Sequence, residues 1–517
     1  MSRPIALLSV SDKTGIVELG KRLSELGWLI LSTGGTGSAL RAAGVEVTSV
    51  SDHTGAPEIF GGRVKTLHPK IHGGILGRRD GDQPEADAND ISWIDLVAVN
   101  LYPFEETISS GEPTMAEAIE KIDIGGPTMV RAAAKNHRDV IIVVDPSDYT
   151  AIGEQLANPE GVSAEQRAQL ALKAFRHTAA YDSVISGWLG ERVQPGLPEE
   201  GGLPFRQVQS LRYGENPHQK AVFCSEPGVG GRSLARMIQH QGKHLSYNNI
   251  ADLDAALRAV FDLEGPGCVV VKHANPCGAA VHPDGPARAF QLALSSDPVS
   301  AFGGIVVFNR PIDGDDVRAL RQARTFFEIV AAPGYTEQAL ERLKAREKLR
   351  VLELPADWGD SESPSFDVKR VQGGWLLQSW DQGAAFEPTT STKRGPTDEE
   401  AACMDFAWRV CRHVKSNAIV LAVAQDGGFV LNGVGAGQMS RVDAVRLATE
   451  KARRPIAGSV LASDAFFPFP DGVEIAAKAG VSAIIQPGAS IRDEEVIAMA
   501  DAHDVAMVFT GVRHFRH

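Results

Sequence analysis

Five cysteines, at positions 224, 268, 277, 403 and 411, are scattered over 517 residues and odd in number. They offer neither a disulfide framework nor the close pairing of a zinc knuckle. No apolar run approaches the roughly 18 residues that a membrane-spanning helix needs, so no membrane partner is expected. A basic excess is also missing. Lys and Arg total 52 against 65 Asp and Glu, a net charge of -13 that argues against nonspecific nucleic-acid binding while leaving room for local anion pockets. There is no G-x-x-x-x-G-K-[ST] phosphate loop, and Gly35-Thr36-Gly37 lacks the third glycine of a dinucleotide fingerprint, so a monophosphate fits better than ATP or NAD. Pro276-Cys277 resembles the start of a zinc-deaminase P-C-x-x-C, but position 280 is alanine and no H-x-E stands upstream near it; no metal is expected. Met1-Ser2-Arg3-Pro4 runs directly into strand-like Ile5 to Leu8, which leaves no secretory segment and points to the cytoplasm.

What is present is the composition of an ordinary globular chain, 43% hydrophobic and 23% charged. At roughly 100 to 200 residues per domain the length implies three or four domains. Gln194 to Pro204, rich in Pro, Gly and Glu and without a period of 2 or 3.6, has the character of a linker. It divides a region 1–195 from a region 205–517. A second polar stretch, from Asp357 to Pro364 and again from Gly383 to Pro396, predicts that the larger region is itself bipartite, with a break near 357–396. No short-period repeat is visible. The N-terminal region alternates strand and helix: Ile5 to Leu8, then Leu19, Leu23 and Leu26 on one helical face, then Trp28 to Leu31 and a further helix through Leu40 and Ala43. This is an α/β pattern with a parallel sheet and a loop at the carboxyl end of each strand.

Chemistry collects in those loops. Ser9 to Gly15 follows the first strand and Ser32 to Gly37 the second. Glycine-released N–H groups at a helix start, with hydroxyls and a lysine, bind phosphate well, although each loop alone is also a common helix-capping turn. Gly61 to Pro69, Asn100 to Phe104 and Ile122 to Pro127 add further turns. Arg131 and Lys135 are four apart on one helical face, a like-charge pair that an anion would relieve. His68 and His72 are also four apart, but Pro69 between them makes a regular helix, and so a zinc pair, a poor reading. In the C-terminal region the apolar strand Val269 to Val271 delivers Lys272 and His273 into a Pro/Gly turn at Pro276-Cys277-Gly278. A fixed cation beside a titratable imidazole is the minimum equipment for attack of a weak amine on an acyl group.

Taken together these strings resemble one family. Ser-Val-Ser-Asp-Lys-Thr-Gly, Gly-Gly-Arg-Val-Lys-Thr-Leu-His-Pro, Asn-Leu-Tyr-Pro-Phe, Ile-Asp-Ile-Gly-Gly-Pro and Arg-Ala-Ala-Ala-Lys-Asn-His occupy the first region. The second carries Ser210 to Gln219, Val271 to Gly278, Ala301 to Gly304, Lys415-Ser416-Asn417, Gly435 to Arg441 and Ser463 to Phe469. They look like the bifunctional purine-biosynthesis family that joins AICAR transformylase to IMP cyclohydrolase, over nearly the whole chain and in the same order. The resemblance implies a methylglyoxal-synthase-like parallel-sheet domain, followed by tandem cytidine-deaminase-like units without zinc. It further implies a homodimer with transformylase sites between subunits.

Residue roles are likewise implied by the resemblance. A formyl group would pass from 10-formyltetrahydrofolate, the co-substrate, to the 5-amine of AICAR, with His273 as general base and Lys272 supporting the charge. Arg212 and Tyr213 would hold the nucleotide, Asn417 would orient the formyl group, Arg441 and Phe466 would line the site, and Phe302 and Gly303 would flank a substrate. Arg513, Phe515 and His517 also match, so the C-terminus is expected to be buried in a site, against the usual fraying of termini. In the ring closure that gives IMP, Lys65 and Lys135 would stabilise the oxyanion and assist proton transfer, with Tyr102 and Asp123 as protic partners. Ser11, Lys13, Gly35, Thr36, Arg63 and Thr66 would hold phosphate and ribose, with Asn100 beside them.

The chain departs from the family pattern after Gly303, where Glu328 is the nearest equivalent of an acidic residue near the nucleotide, and at a strand-turn-strand containing Asp426-Gly427-Gly428. Two rival readings use only part of the chain: a sugar-phosphate lyase of methylglyoxal-synthase type, and a non-catalytic nucleotide-sensing module. Neither accounts for Lys272 and His273 at a strand end.

Overall fold

The computed structural model describes residues 3–109, 111, 113–227, 232–358, 366–383 and 386–517. The chain separates into two compact units, one of residues 1–206 with 226–228 and one of 207–225 with 229–517. Much of the expected break at 357–364, and residues 384 and 385 of 383–396, lie outside the described residues.

The first unit is built from β1 (Ile5–Val10), α1 (Ile16–Glu25), β2 (Leu29–Ser32), α2 (Gly34–Ala42), β3 (Thr48–Ser49), α3 (Val50–Thr54), α4 (Pro69–Leu76) and α5 (Gln83–Ala88). It continues with β4 (Leu96–Asn100), α6 (Phe104–Ser109), α7 (Met115–Glu120), α8 (Gly125–Lys135), β5 (Ile141–Val143), α9 (Tyr149–Leu156) and α10 (Ala164–Val193). The strands form one parallel sheet in the order β3-β2-β1-β4-β5. Period-2 alternation explains the three layers. Ile5 and Leu7 of β1 join Val97, Val99 and residues of α8 and α10 in one core, while Ala6, Leu8 and Val10 join Ala98 and residues of α1 in the other. Strand order reverses between β1 and β4, where ligands bind in open α/β sheets. One expectation fails here. α4 does form across 69–76, because Pro69 occupies its first turn, where the missing N–H costs nothing, and His68 caps it by accepting the Lys70 N–H.

The second unit contains β6 (Arg206–Leu211), β7 (Ala221–Ser225) and β8 (Ile238–Gln241), then α11 (Tyr247–Phe261), β9 (Gly267–Lys272), β10 (Asn275–Val281), α12 (Pro286–Ser296), β11 (Gly304–Phe308), α13 (Gly314–Gln322), β12 (Phe327–Ala332), α14 (Glu337–Leu343) and β13 (Arg350–Glu353). After the hairpin β14 (Asp367–Val371) and β15 (Gly374–Gln378) and the short β16 (Thr389–Thr390), the pattern recurs. It runs α15 (Asp398–Cys411), β17 (Ile419–Gln425), β18 (Gly428–Gly435), α16 (Arg441–Lys451), β19 (Val460–Ser463), α17 (Asp471–Ala479), β20 (Ala483–Gln486), α18 (Asp493–Ala502) and β21 (Ala506–Phe509). The two α-β-β-α-β-α-β-α-β runs pair alike and fuse through the antiparallel contact of β10 with β18 into one 12-stranded sheet. One sheet face carries a core shared by α11 and α15; the other is covered by α12 to α14 and α16 to α18. The runs also share a packing device. A Cβ on Gly278 of β10 would lie 2.1 Å from the carbonyl oxygen of Ala293 in α12, and one on Gly433 of β18 would lie 2.1 Å from that of Ala448 in α16. Asp426-Gly427 is the turn of the β17–β18 hairpin.

Candidate active sites

In the first unit, groups converge above the carboxyl ends of β1, β2 and β4. The first turn of α2 has no side-chain cap, so its N–H groups are free to meet an anion. Two lysines lean over that turn: Lys65 Nζ is 3.7 Å from a Cβ position on Gly34, and Lys13 Nζ is 3.6 Å from one on Gly35. Lys65 also pairs with Glu58 at 3.4 Å, and Lys13 donates to the Ser11 carbonyl at 3.3 Å. Thr66, itself buried, sits against the first turn of α8, its Oγ1 2.9 Å from a Cβ position on Gly125. Beside it the Asp123 carboxylate accepts the Gly126 N–H at 2.8 Å and feels the nearby Tyr102 backbone amide. Burial pushes this carboxyl up from its ordinary value, against the pull of those two N–H groups. The Tyr102 side chain stands exposed at the rim.

Other predicted residues turn inward. Asn100 accepts the N–H groups of Ser11 (2.6 Å) and Asp12 (2.9 Å) and donates to the Asp12 carbonyl, so it staples the β1 loop to β4. Thr36 spends its hydroxyl on both the N–H and the carbonyl of Val10. Arg63 is exposed and paired with Glu120 at 2.8 Å. Lys135 ends α8, ten residues beyond Gly125. At 1.5 Å of rise per residue its Cα stands about 15 Å from the cluster, so the backbone alone does not bring it to Lys65.

In the second unit, β9 and β10 meet in a tight hairpin whose corner is His273-Ala274, with φ of 49° and 56°. The expected turn at Pro276-Cys277-Gly278 is therefore misplaced by a few residues: these three lie within β10, across a register shift. Two consecutive left-handed residues are the geometry of a two-residue hairpin corner, and they turn His273 out to solvent. Asp252 accepts the Ala274 N–H at 2.7 Å, and the Asn275 amide donates to the His273 carbonyl at 3.0 Å. Lys272 Nζ donates to the Phe302 carbonyl at 3.0 Å and lies 3.0 Å from a Cβ position on Gly303, whose φ is +70°. A side chain at 303 would displace the ammonium. A cleft of ≈ 240 Å³ is lined by Lys272, His273, Asn275, Asp297 and Lys451 among others.

Asn275 connects this corner to the second run by accepting the Lys415 N–H at 3.0 Å. There the Asn417 side chain accepts from Arg441 at 2.8 Å and donates to the Met439 carbonyl at 3.2 Å. Arg441 is buried, contrary to a place facing substrate, because its guanidinium is taken up by Asp464, Asn417 and the Ala418 carbonyl. Asp464, in the string Ser463 to Phe469, is a residue for which the family resemblance implies no role. It binds Arg441, the Ser416 hydroxyl (2.5 Å) and the Ala418 N–H (3.1 Å). An acid directly after an apolar strand was the available signal. Glu328 bonds to Arg350 at a register shift between β11 and β12.

The C-terminus is tethered but not buried as expected. Arg513, Phe515 and His517 are exposed, whereas the alternate residues His514 and Arg516 turn in. His514 bonds to Asp381 at 2.7 Å, the Arg516 N–H donates to Ser416 at 3.0 Å, and Lys415 donates to the His517 carbonyl at 2.6 Å. Phe466 is exposed, and the Arg212 guanidinium lies 5.8 Å from the ring of Tyr213.

Comparison with known proteins gives two family matches. Residues 133–451 match the model described as AICARFT/IMPCHase bienzyme, and residues 15–128 match an MGS-like domain. A solved structure titled "Crystal structure of ForH" is 42% identical over 37% of this chain and 100% of its own, with a TM-score of 0.34.

Proposed function

This chain belongs to the AICARFT/IMPCHase bienzyme family, and from that premise we propose how its two units divide the work. It is a bifunctional formyltransferase and IMP cyclohydrolase, acting on nucleotides with a formyl-folate co-substrate, and its N-terminal part is MGS-like. The readings as a lyase or a sensor alone fall away. We assign ring closure to the first unit and formyl transfer to the second.

For formyl transfer, with 10-formyltetrahydrofolate as donor, the 5-amine of AICAR attacks the formyl carbon. The new C–N bond forms as the bond to the folate nitrogen breaks; His273 takes the amine proton, and a proton returns to the folate nitrogen. The observation that carries this reading is the hairpin corner, which holds His273 out of the sheet with Lys272 beside it, tied to Phe302-Gly303. Lys272 offsets the negative charge on the formyl oxygen. Asn417 orients that group, and Arg441 is assigned to positioning Asn417. Arg212, Tyr213, Phe302, Phe466, Arg513, Phe515 and His517 are assigned to substrate binding in a homodimer whose sites lie between subunits. Exposed Phe302, Phe466, Phe515 and Met439 near the C-terminal runs support such an assembly.

For ring closure the carboxamide nitrogen attacks the formyl carbon within one molecule and water leaves. Proximity is already covalent, so the protein chiefly selects a folded conformer and moves protons. Lys13, Ser11 and the α2 N-terminus with Gly35 hold the phosphate, Thr66 and Arg63 the ribose side, and Lys65, Tyr102 and Asp123 manage the developing oxyanion and its protons. Thr36 and Asn100 are assigned to holding the loops. The five cysteines are all free, which supports a reducing, cytoplasmic setting.

The test is a pair of variants assayed for both half-reactions. His273→Ala lowers formyl transfer on the order of 100-fold or more while supplied formylated AICAR still closes. Lys65→Ala accumulates the formylated intermediate while transfer continues. Transfer within twofold of wild type in His273→Ala, or accumulation of AICAR in Lys65→Ala, refutes the division.

A further inference from the structure

We propose that Tyr181, in the middle of α10, is a positioning residue for ring closure: its hydroxyl bridges the loop that carries Asp123 and fixes where the Asp123 carboxyl stands. This rests on the reading of Asp123 as a proton-handling group.

The loop between α7 and α8 needs such a tether. Ile122 of this loop packs with Tyr181 against Phe104 and Trp188, whereas Ile124 is 60% exposed, so apolar packing holds one side of the turn and leaves the Asp123 peptide to hydrogen bonding. Tyr181 supplies the restraint from outside. Its Oη accepts the Asp123 N–H at 2.9 Å and donates to the Lys121 carbonyl at 3.3 Å. A phenol can accept and donate at once, so a single atom closes both backbone groups. With the peptide held, the Asp123 carboxylate reaches the Gly126 N–H at 2.8 Å.

The same helix holds the Tyr102 loop. Phe104 packs edge-on against Tyr181, centroids 6.4 Å apart at 72°, and against Trp188, 5.8 Å apart at 90°. Sequence spacing explains the placement. Ala171, Ala174 and Thr178 form the buried stripe of α10, and Tyr181 continues it at helical spacing. The small residues let the helix lie close, and the tyrosine then reaches the loop.

The titratable groups facing Tyr181 are Asp123, Asp182 and Tyr102. Burial, reinforced by the two acids, pushes the Tyr181 phenol up to about 12, against the Asp123 N–H, so it remains a neutral donor across the working range. The Asp123 carboxyl is raised by the same burial. Loosening the loop admits water and lets that carboxyl relax toward its ordinary value.

The experiment compares Tyr181→Phe with wild type in the full-length protein, using formylated AICAR for ring closure and AICAR with 10-formyltetrahydrofolate for transfer. Phenylalanine keeps the ring against Phe104 and removes only the bridging oxygen. Ring-closure kcat is expected to fall on the order of 10-fold, as a small misplacement of a reacting group does, with KM within twofold, formyl transfer unchanged, and the acid limb of the kcat profile moved to lower pH. Wild-type kcat with an unmoved limb overturns the proposal. So does a parallel fall in transfer and thermal midpoint, which marks a general packing role. Asp123→Asn tests the underlying reading separately: ring closure at the wild-type rate in that variant removes Asp123 from the chemistry whatever Tyr181→Phe does.

Discussion

Replacing Arg441 by alanine separates what this residue does for stability from what it does for Asn417. The Asp464 side chain is fully buried and the Arg441 side chain is 7% exposed. Removing the guanidinium leaves the carboxylate with only the Ser416 hydroxyl and the Ala418 N–H, and strips a donor from Asn417 and from the Ala418 carbonyl. Breaking one side of a buried pair costs about 3–5 kcal/mol, because the remaining charge is uncompensated. For a unit of this size, at about 2 °C per kcal/mol, the thermal transition of the second unit falls on the order of 6–10 °C. The double variant Arg441→Met with Asp464→Leu removes both charges and fills the space, so most of that stability returns. Formyl transfer does not return with it, since the Asn417 amide oxygen has lost its donor and only the Met439 carbonyl still holds the group. Calorimetry of the three proteins, alongside the transfer assay, checks both halves. A single variant that melts within 2 °C of wild type, or a double variant that recovers full transfer, refutes the reasoning.

Glu400 predicts an acid-labile contact. Burial pushes it up, but bidentate Arg394 at 2.8 and 3.0 Å and the Thr397 N–H pull it further down, to about 2. With the folded value below the ordinary 4.5, its stabilisation is complete above that pH and is lost as the pH falls toward 2; Glu400→Gln flattens denaturant stability across that window and lowers it at pH 7. Gly433→Ala places a methyl 2.1 Å from the Ala448 carbonyl, and neither backbone can yield freely. It costs about 1–3 kcal/mol by overpacking, read as a lower denaturation midpoint, and Gly278→Ala behaves alike because it meets Ala293 in the same way.

The strand-loop rhythm of the first unit was legible because strands buried on both faces are continuous apolar runs and their loops carry the glycines and hydroxyls. Treating proline as a breaker wherever it stands hides the helix at Pro69, although at a first turn it breaks nothing. Pro and Gly, strong turn markers, point to a hairpin corner at Pro276-Cys277-Gly278. The structure instead puts left-handed backbone on a histidine and an alanine, held by Asp252 from α11. The tandem units of the second region follow from the family resemblance and not from any internal repeat of residues, because the two runs share topology and glycine-helix contacts without sharing a motif.

By itself the sequence pointed to the family and to the pool of polar residues from which both proposed sites are drawn, since these are written in local strings and their order. Only the tertiary structure decided which of those residues still have hydrogen-bonding capacity to offer a substrate. Asn100, Thr36 and Arg441 sit in site motifs, yet their polar groups are taken up by Ser11 and Asp12, Val10 and Asp464. Tyr181 sits in no motif, yet it holds Asp123. The reason is physical: whether a polar side chain serves the ligand or the backbone depends on which unsatisfied group folding brings within about 3 Å of it, and that neighbour is up to 89 residues away along the chain.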